Sequence, residues 1–129
     1  MEKLRPVEAL EKYWGYTTFR PLQCEAVDAV LAGRDALVVM PTGGGKSLCY
    51  QLPAACGIGL VLVVSPLIAL MDDQVTAANE NGLIAGALHS QTLEKDRRRI
   101  FAQLHEGSLD LLYVSPERLV TGGLFELIR

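Results

Sequence analysis

Apolar positions along the chain switch repeatedly between a helical spacing and short unbroken runs, and that alternation predicts its elements. Val7, Leu10 and Trp14 recur at i, i+3 and i+7, which places a first helix over about Pro6 to Trp14 with Gly15 as its stop. Pro21 suits the first turn of a second helix, whose Leu22, Ala26, Val27, Val30 and Leu31 point inward until Gly33 ends it. Nearly continuous apolar runs at Ala36 to Met40, Leu60 to Val64, Ile84 to Leu88 and Asp110 to Val114 predict strands buried on both faces. Helices over about Lys46 to Ala55, Leu67 to Asn79 and Leu93 to His105 fill the crossovers. Strands and helices alternating through short connections are the signature of an α/β fold, a mainly parallel sheet covered by helices in three layers.

A length of 129 residues suits one folded unit and is short for an energy-converting motor, which usually needs two such domains. Half the residues are hydrophobic and 21% charged, which excludes disorder. No apolar run is long enough to cross a bilayer, and the charged opening Met1-Glu-Lys-Leu-Arg-Pro6 leads to no apolar signal segment. Cys24, Cys49 and Cys56 are odd in number and lack C-x-x-C spacing, so they read as small core residues in a reducing cytoplasm. His89 and His105 are not spaced as metal ligands. A net charge of −3 argues against a broad basic surface for nucleic acid, so any such contact must be local. The one basic cluster, Lys95 and Arg97 to Arg99, shares a helix with the apolar face of Leu93, Ile100, Phe101 and Leu104. Helical projection sets Lys95, Arg98 and Arg99 opposite that face, as an ordinary solvated surface.

Candidate chemistry gathers at two places. The run Asp35-Ala-Leu-Val-Val-Met40 breaks into Pro41-Thr-Gly-Gly-Gly-Lys-Ser47, a strand leading into glycines that end in Lys-Ser at a helix start. Consecutive glycines let backbone amides converge on phosphate oxygens, as in a P-loop. Lys46 then reaches the outer phosphates, and the Ser47 hydroxyl meets the Mg²⁺ that bridges them. Met40 stands where the general motif has glycine, so the match is a variant. The competing view is a plain strand-to-helix turn with Lys46 as a surface charge. Some twenty residues earlier, Gly15-Tyr-Thr-Thr-Phe-Arg-Pro-Leu-Gln23 brings an aromatic ring, a guanidinium and a carboxamide together. The Gln23 carboxamide can pair with the N6 amino group and N7 of adenine, while Tyr16 and Arg20 stack on the ring. Guanine offers an acceptor where adenine offers that donor. The alternative is that Tyr16 and Phe19 are core aromatics.

Four stretches closely resemble the RecQ family of ATP-dependent DNA helicases, in the order that family has them. They are Phe19-Arg-Pro-Leu-Gln-Cys-Glu-Ala26, Val39-Met-Pro-Thr-Gly-Gly-Gly-Lys-Ser-Leu-Cys-Tyr-Gln51, Val64-Ser-Pro-Leu-Ile-Ala-Leu-Met-Asp-Asp-Gln-Val75 and Leu112-Tyr-Val-Ser-Pro-Glu-Arg-Leu119. The resemblance covers the chain from Leu10 onward. It implies a RecA-like P-loop NTPase fold, with residues 1–129 as part of the first motor domain. By the same resemblance, Tyr16, Arg20 and Gln23 hold adenine, and Thr42, Gly43, Gly44, Gly45, Lys46 and Ser47 hold the phosphates of ATP and its Mg²⁺, with Lys46 catalytic. Ser65, Pro66 and Leu67, with Gln74 beyond them, and Ser115, Pro116, Glu117 and Arg118 then touch one strand of DNA. Hydroxyls and free amides at helix starts can hold phosphodiester oxygens without reading sequence. Helix initiation by each Ser-Pro pair is compatible with that role.

The family's Asp-Glu-Ala-His tetrapeptide, which anchors Mg²⁺ and orients water, does not occur in the 129 residues. The expectation is therefore an ATP- and DNA-binding fragment, cut before that strand and inactive alone. Its parent is expected to couple ATP hydrolysis to 3′-to-5′ unwinding in repair and recombination, in the cytoplasm or on a bacterial nucleoid, with the second motor domain and C-terminal domains as partners. A stand-alone nucleotide-binding regulatory module and another P-loop phosphotransferase are the alternatives.

Overall fold

Proline has no amide to lose at the first position of a helix, and α1 (Pro6–Ala9) begins on it. The helix continues as a π turn over Leu10–Trp14 and ends at Gly15. That wider turn breaks the regular stripe, so Ala9 and Leu10 are buried while Val7 is exposed, contrary to its predicted inward place. The structure is a computed structural model that describes residues 3–39, 45–121 and 124. It divides into two compact units, Met1–Val61 and Leu62–Arg129.

In the first unit, α2 (Gln23–Leu31) starts two residues later than the pattern of its sequence suggests. Pro21 and Leu22 form a turn ahead of it, and Leu22 is exposed, as is Val30. The buried side of α2 is instead Gln23, Ala26, Val27 and Ala29. It packs on α3 (Leu48–Ala55), which also meets α1. Leu52, Ala54 and Ala55 are the inward residues of α3, and Leu4 N donates to Cys56 O at 3.0 Å just past its end.

The strand expected at Ala36 to Met40 is not there. Residues 36–39 have no regular structure, and Leu37 and Val39 are 94% and 79% exposed; Met40 lies outside the described residues. A strand exists only through a hydrogen-bonded neighbour, and a β-branched run without one stays irregular however strong its propensity. Of the cysteines, Cys56 alone is buried, while Cys24 and Cys49 are half-buried; all three are free thiols.

The second unit carries the sheet. Strands β1 (Val61–Val64), β2 (Ala85–Leu88) and β3 (Leu111–Val114) lie in the order β1-β3-β2. β2 and β3 are parallel, with Ala85 opposite Leu111 and Leu88 opposite Val114. Both are buried along their whole length, as their unbroken apolar runs require, whereas β1 is half-buried. The crossovers are α4 (Ile68–Glu80) and α5 (Glu94–Glu106), and a short α6 (Pro116–Val120) follows β3. Leu88, Leu112 and Val114 form one core with Ile100 of α5, with Phe101 and Leu104 packed against it. Gly86 lets α5 dock closely, since a Cβ there would lie 2.7 Å from Ile100 Cγ1. Leu93, predicted on the apolar face of α5, sits at its N-cap and is exposed. Lys95, Arg98 and Arg99 are exposed as expected, Arg99 paired with Asp96 at 2.9 Å, whereas the half-buried Arg97 lies over the Phe101 ring and pairs with Glu94 at 3.0 Å.

The outer edge of β2 is closed by side chains. Asn79 Oδ1 accepts from Ala85 N at 3.0 Å while its Nδ2 donates to Ala85 O at 3.3 Å. The Thr92 hydroxyl donates to Ala87 O at 3.0 Å and accepts from His89 N at 2.9 Å. Both residues thereby occupy backbone groups that would otherwise offer a template for another strand.

Candidate nucleotide-binding site

Gln23 is the first residue of α2 and only 4% exposed, so its carboxamide must find partners inside the protein. Its Oε1 accepts from Arg20 N at 2.8 Å. Its Nε2 donates across 22 residues of chain to Gly45 O at 3.1 Å. Those bonds use one acceptor position and one donor hydrogen, and a carboxamide carries a second of each. Gly45 is the last glycine before Lys46. Its φ of 81° is left-handed, which favours glycine, and a Cβ on it would push the Gln23 carboxamide out of this place.

Beside this bond opens a cavity of about 370 Å³. Trp14 and Tyr16 give it aromatic surface, Thr18, Arg20 and Gln23 give it polar groups, and Gly45, Ser47 and Leu48 complete the lining. The volume falls within the range of small-molecule sites, and the mixture of flat apolar and directional polar groups suits a heterocycle. Tyr16 is 57% exposed, which removes the view that it is a core aromatic. Trp14 was not legible as a site residue, because its spacing assigns it to the buried stripe of the first helix. Thr18 carried no signal of its own.

Helix α3 begins at Leu48, with Lys46 and Ser47 in a turn between it and Gly45. Lys46 O accepts from Cys49 N at 3.0 Å and Ser47 O from Gln51 N at 3.0 Å, so both residues stand at its opening turn. Ser47 is the N-cap residue, yet its hydroxyl makes no cap bond. A hydroxyl not used as a cap there fits a Mg²⁺ ion, which keeps most of its shell as water and phosphate oxygen and takes few protein ligands. Lys46 is exposed, and among the described residues it forms no ion pair. Thr42, Gly43 and Gly44 lie outside the described residues.

The two Ser-Pro segments belong to the second unit and share one edge of its sheet. Ser65 N donates to Val114 O at 3.0 Å, and Ser115 N to Leu88 O at 3.2 Å, so the carboxyl ends of the three strands lie together. Ser115 caps α6, its hydroxyl accepting from Arg118 N at 3.4 Å, with Pro116 in the first turn. It is 3% exposed, whereas Pro116 and Glu117 are exposed and Arg118 half-buried. At Ser65 the expected helix start is displaced. Its hydroxyl accepts from Leu67 N at 3.1 Å in a tight turn, and α4 begins at Ile68, so Pro66 precedes the helix. Pro66 and Leu67 are exposed; Gln74 is half-buried within α4.

His89, passed over in the sequence, is buried at the same edge. Its Nδ1 accepts from Gln91 N at 3.1 Å, which leaves Nε2 to donate to Asp72 Oδ1 at 3.2 Å. This pair joins the end of β2 to α4, a nonlocal contact that no local spacing announces.

Residues 20–126 match the family described as DEAD/DEAH box helicase. The chain belongs to the DEAD/DEAH box helicase family. The matched span takes in Arg20, Gln23, the glycines before Lys46 and both Ser-Pro segments. The RecQ resemblance also holds along nearly the whole chain. It is 52% identical over 122 residues to an ATP-dependent DNA helicase RecQ of Synechocystis sp., covering 95% of this chain and 26% of that protein. A protein of the same name from Haemophilus influenzae is 51% identical over 129 residues, covering 99% and 21%. ATP-dependent DNA helicase Q1 of Rattus norvegicus is 43% identical over 124 residues, covering 95% and 19%. The chain thus spans about a fifth to a quarter of the length of these relatives. A crystal structure of a hypothetical ATP-dependent RNA helicase from Sulfolobus tokodaii superposes with a TM-score of 0.64 at 21% identity, covering 95% of this chain and 37% of that one. That likeness is one of fold, the α/β P-loop NTPase fold of RecA-like helicase domains. No helix among the described residues is long and apolar enough to cross a membrane.

Proposed function

We propose that residues 1–129 are part of the first RecA-like, ATP-binding domain of a RecQ-like DNA helicase, and that this part binds ATP with Mg²⁺ and one strand of DNA. The whole protein, on this reading, couples ATP hydrolysis to 3′-to-5′ unwinding in DNA repair and recombination, in the cytoplasm. The observation that carries the reading is the bond from Gln23 Nε2 to Gly45 O, because it ties the purine-reading segment to the phosphate loop in one cavity. Gln23 pairs with adenine through its second donor and acceptor, Tyr16 and Arg20 stack on the ring, and Thr42 to Lys46 enclose the phosphates. Lys46 supplies positive charge to the outer phosphates, and Ser47 contributes a hydroxyl to Mg²⁺. When bound, the ion neutralises phosphate charge. The segments Ser65, Pro66 and Leu67, and Ser115 to Arg118, hold phosphodiester oxygens of a passing strand, with Gln74 as a further polar contact. The exposed part of each segment supplies that contact, and the buried Ser115 hydroxyl sets the shape of its segment.

Titration of a fluorescent ATP analogue with Mg²⁺ tests the nucleotide site. Lys46→Ala removes a charge-assisted bond worth roughly 1.5 to 3 kcal/mol, which weakens binding by about one to two powers of ten. Equal affinity in the two proteins would refute the site.

A further inference from the structure

Leu22 has φ 72° and ψ −15°, and among the described residues it is the one residue other than glycine with a left-handed backbone. Pro21 precedes it, and Gln23 N donates to Arg20 O at 3.1 Å, so residues 20–23 form a type II turn. Such a turn asks for glycine where Leu22 stands, and an L residue adopts the geometry only at a free-energy cost. The side chain offers no direct reason for it. Leu22 is 47% exposed and borders a shallow apolar hollow with Ala26 and Val38, not the purine cavity.

The sequence pattern by itself suggests a different conformation for these residues. A helix begun at Pro21 gives Leu22 an ordinary negative φ and makes Gln23 the third helical residue, where its side chain can fold back to Arg20 N. The Arg20 bond therefore suits either form. The bond to Gly45 O belongs to the turn form, in which α2 starts at Gln23 and the carboxamide is aimed at the phosphate loop. Backbone strain of this kind persists only where surrounding contacts over-determine it, and here the contact that sets the turn form apart is the bond from Gln23 Nε2 to Gly45 O.

We propose that Leu22 is a positioning residue for base specificity: the Pro21-Leu22 turn is a two-state element, and the left-handed strain at Leu22 sets how much of the protein presents Gln23 to a purine. The inference rests on the adenine-site reading above. A base that pairs fully with Gln23 helps to hold the strained form, and one that pairs badly does not. Strain at Leu22 thus lowers affinity for a nucleotide whose base pairs with Gln23, and leaves nearly untouched one whose base does not.

Three variants of the 129-residue chain test this. Leu22→Gly removes the left-handed penalty and shifts the ratio of the two forms by roughly five- to thirty-fold, Leu22→Asn shifts it less, and the β-branched Leu22→Val shifts it the other way. Competition against a fluorescent nucleotide is measured with ATP, GTP and inorganic tripolyphosphate, alongside a thermal melt of each variant. The expected result is an ATP-to-GTP affinity ratio that changes at least three-fold between Leu22→Gly and Leu22→Val, with tripolyphosphate competition unchanged. A ratio constant within two-fold across all variants overturns the proposal. So does a loss of ATP, GTP and tripolyphosphate binding in parallel, which would mark Leu22 as merely structural. If Lys46→Ala leaves wild-type tripolyphosphate binding intact, the phosphate site itself has failed, a result distinct from either of those.

Discussion

Two residues in the first unit illustrate how narrowly a binding geometry can depend on single side chains. Gly45 has both a left-handed φ and no room for a Cβ against Gln23 Nε2. Gly45→Ala therefore strains the loop and displaces the carboxamide together. Its expected effect is a ten-fold or greater loss of ATP affinity, on the order of 1.4 kcal/mol or more, with a narrowed gap between ATP and GTP. Isothermal titration with each nucleotide checks it, and an unchanged ATP-to-GTP ratio would mean that Gln23 does not read the base. In the second unit Asp110 is the residue to watch with pH. Burial pushes its carboxyl above the ordinary value of 3.8, opposed in part by the bond it accepts from Ile84 N at 2.9 Å. An acid with a raised folded-state pKa favours folding most while protonated. Its contribution is complete below pH 3.8 and falls as pH rises through the folded value. Asp110→Asn keeps an oxygen for Ile84 N and cannot ionise, so at pH 7 it is expected to melt at or above the wild type. That advantage should shrink on acidification, as thermal melts across the acid range will show.

At the scale of elements, the sheet edge shows how side chains finish what backbone pairing leaves open. Asn79 covers both polar groups of Ala85, and Thr92 covers Ala87 O. Asn79→Leu leaves a buried donor and acceptor unpaired, which costs roughly 1 to 3 kcal/mol each where water cannot reach them. The expected outcome is a lower melting temperature together with concentration-dependent association through the bared edge, measured by light scattering. A variant that stays monodisperse and melts with the wild type would show that the edge is protected in some other way. Much of this architecture was legible. Continuous apolar runs located β1, β2 and β3, and helical spacing located α3, α4 and α5 within a residue or two. The exceptions have physical causes. The run at Ala36 to Val39 has the composition of a strand but no described partner, and the start of α2 was misplaced because Pro21 serves a type II turn as readily as a helix.

For the whole molecule, the charge sets the character of DNA binding. With a net charge of −3, attraction must come from a few local contacts, which the proposed reading puts near Ser65 and Ser115. Single-stranded DNA is expected to bind weakly, without regard to sequence, and to be released by moderate salt, as anisotropy at several ionic strengths will test. Strong preference for one sequence would contradict a strand-contacting role. No hydrolysis stimulated by DNA is expected from the 129 residues, because orienting the attacking water requires carboxylates that the Asp-Glu-Ala-His tetrapeptide would bring and that this chain does not contain. A phosphate-release assay beside Lys46→Ala checks that, and stimulated turnover that Lys46→Ala abolishes would locate a catalytic carboxylate within this chain.

The sequence by itself determined what depends on neighbours along the chain. Hydrophobic period placed the helices and three of the strands, and the glycines before Lys46 and Ser47, with Gln23, Tyr16 and Arg20, supplied the motifs on which the proposed phosphate and purine sites rest. Tertiary structure decided what depends on partners distant in sequence. It placed Trp14 and Thr18 in the cavity, joined Gln23 to Gly45, buried His89 against Asp72, and brought the ends of β1, β2 and β3 to one edge. It also left Leu37 and Val39 exposed despite a strand-like composition. The reason is the same in each case: periodicity is a local property that one segment can carry alone, whereas a hydrogen bond across 22 residues, a strand ladder or a buried imidazole bonded to a distant carboxylate exists only when two segments meet.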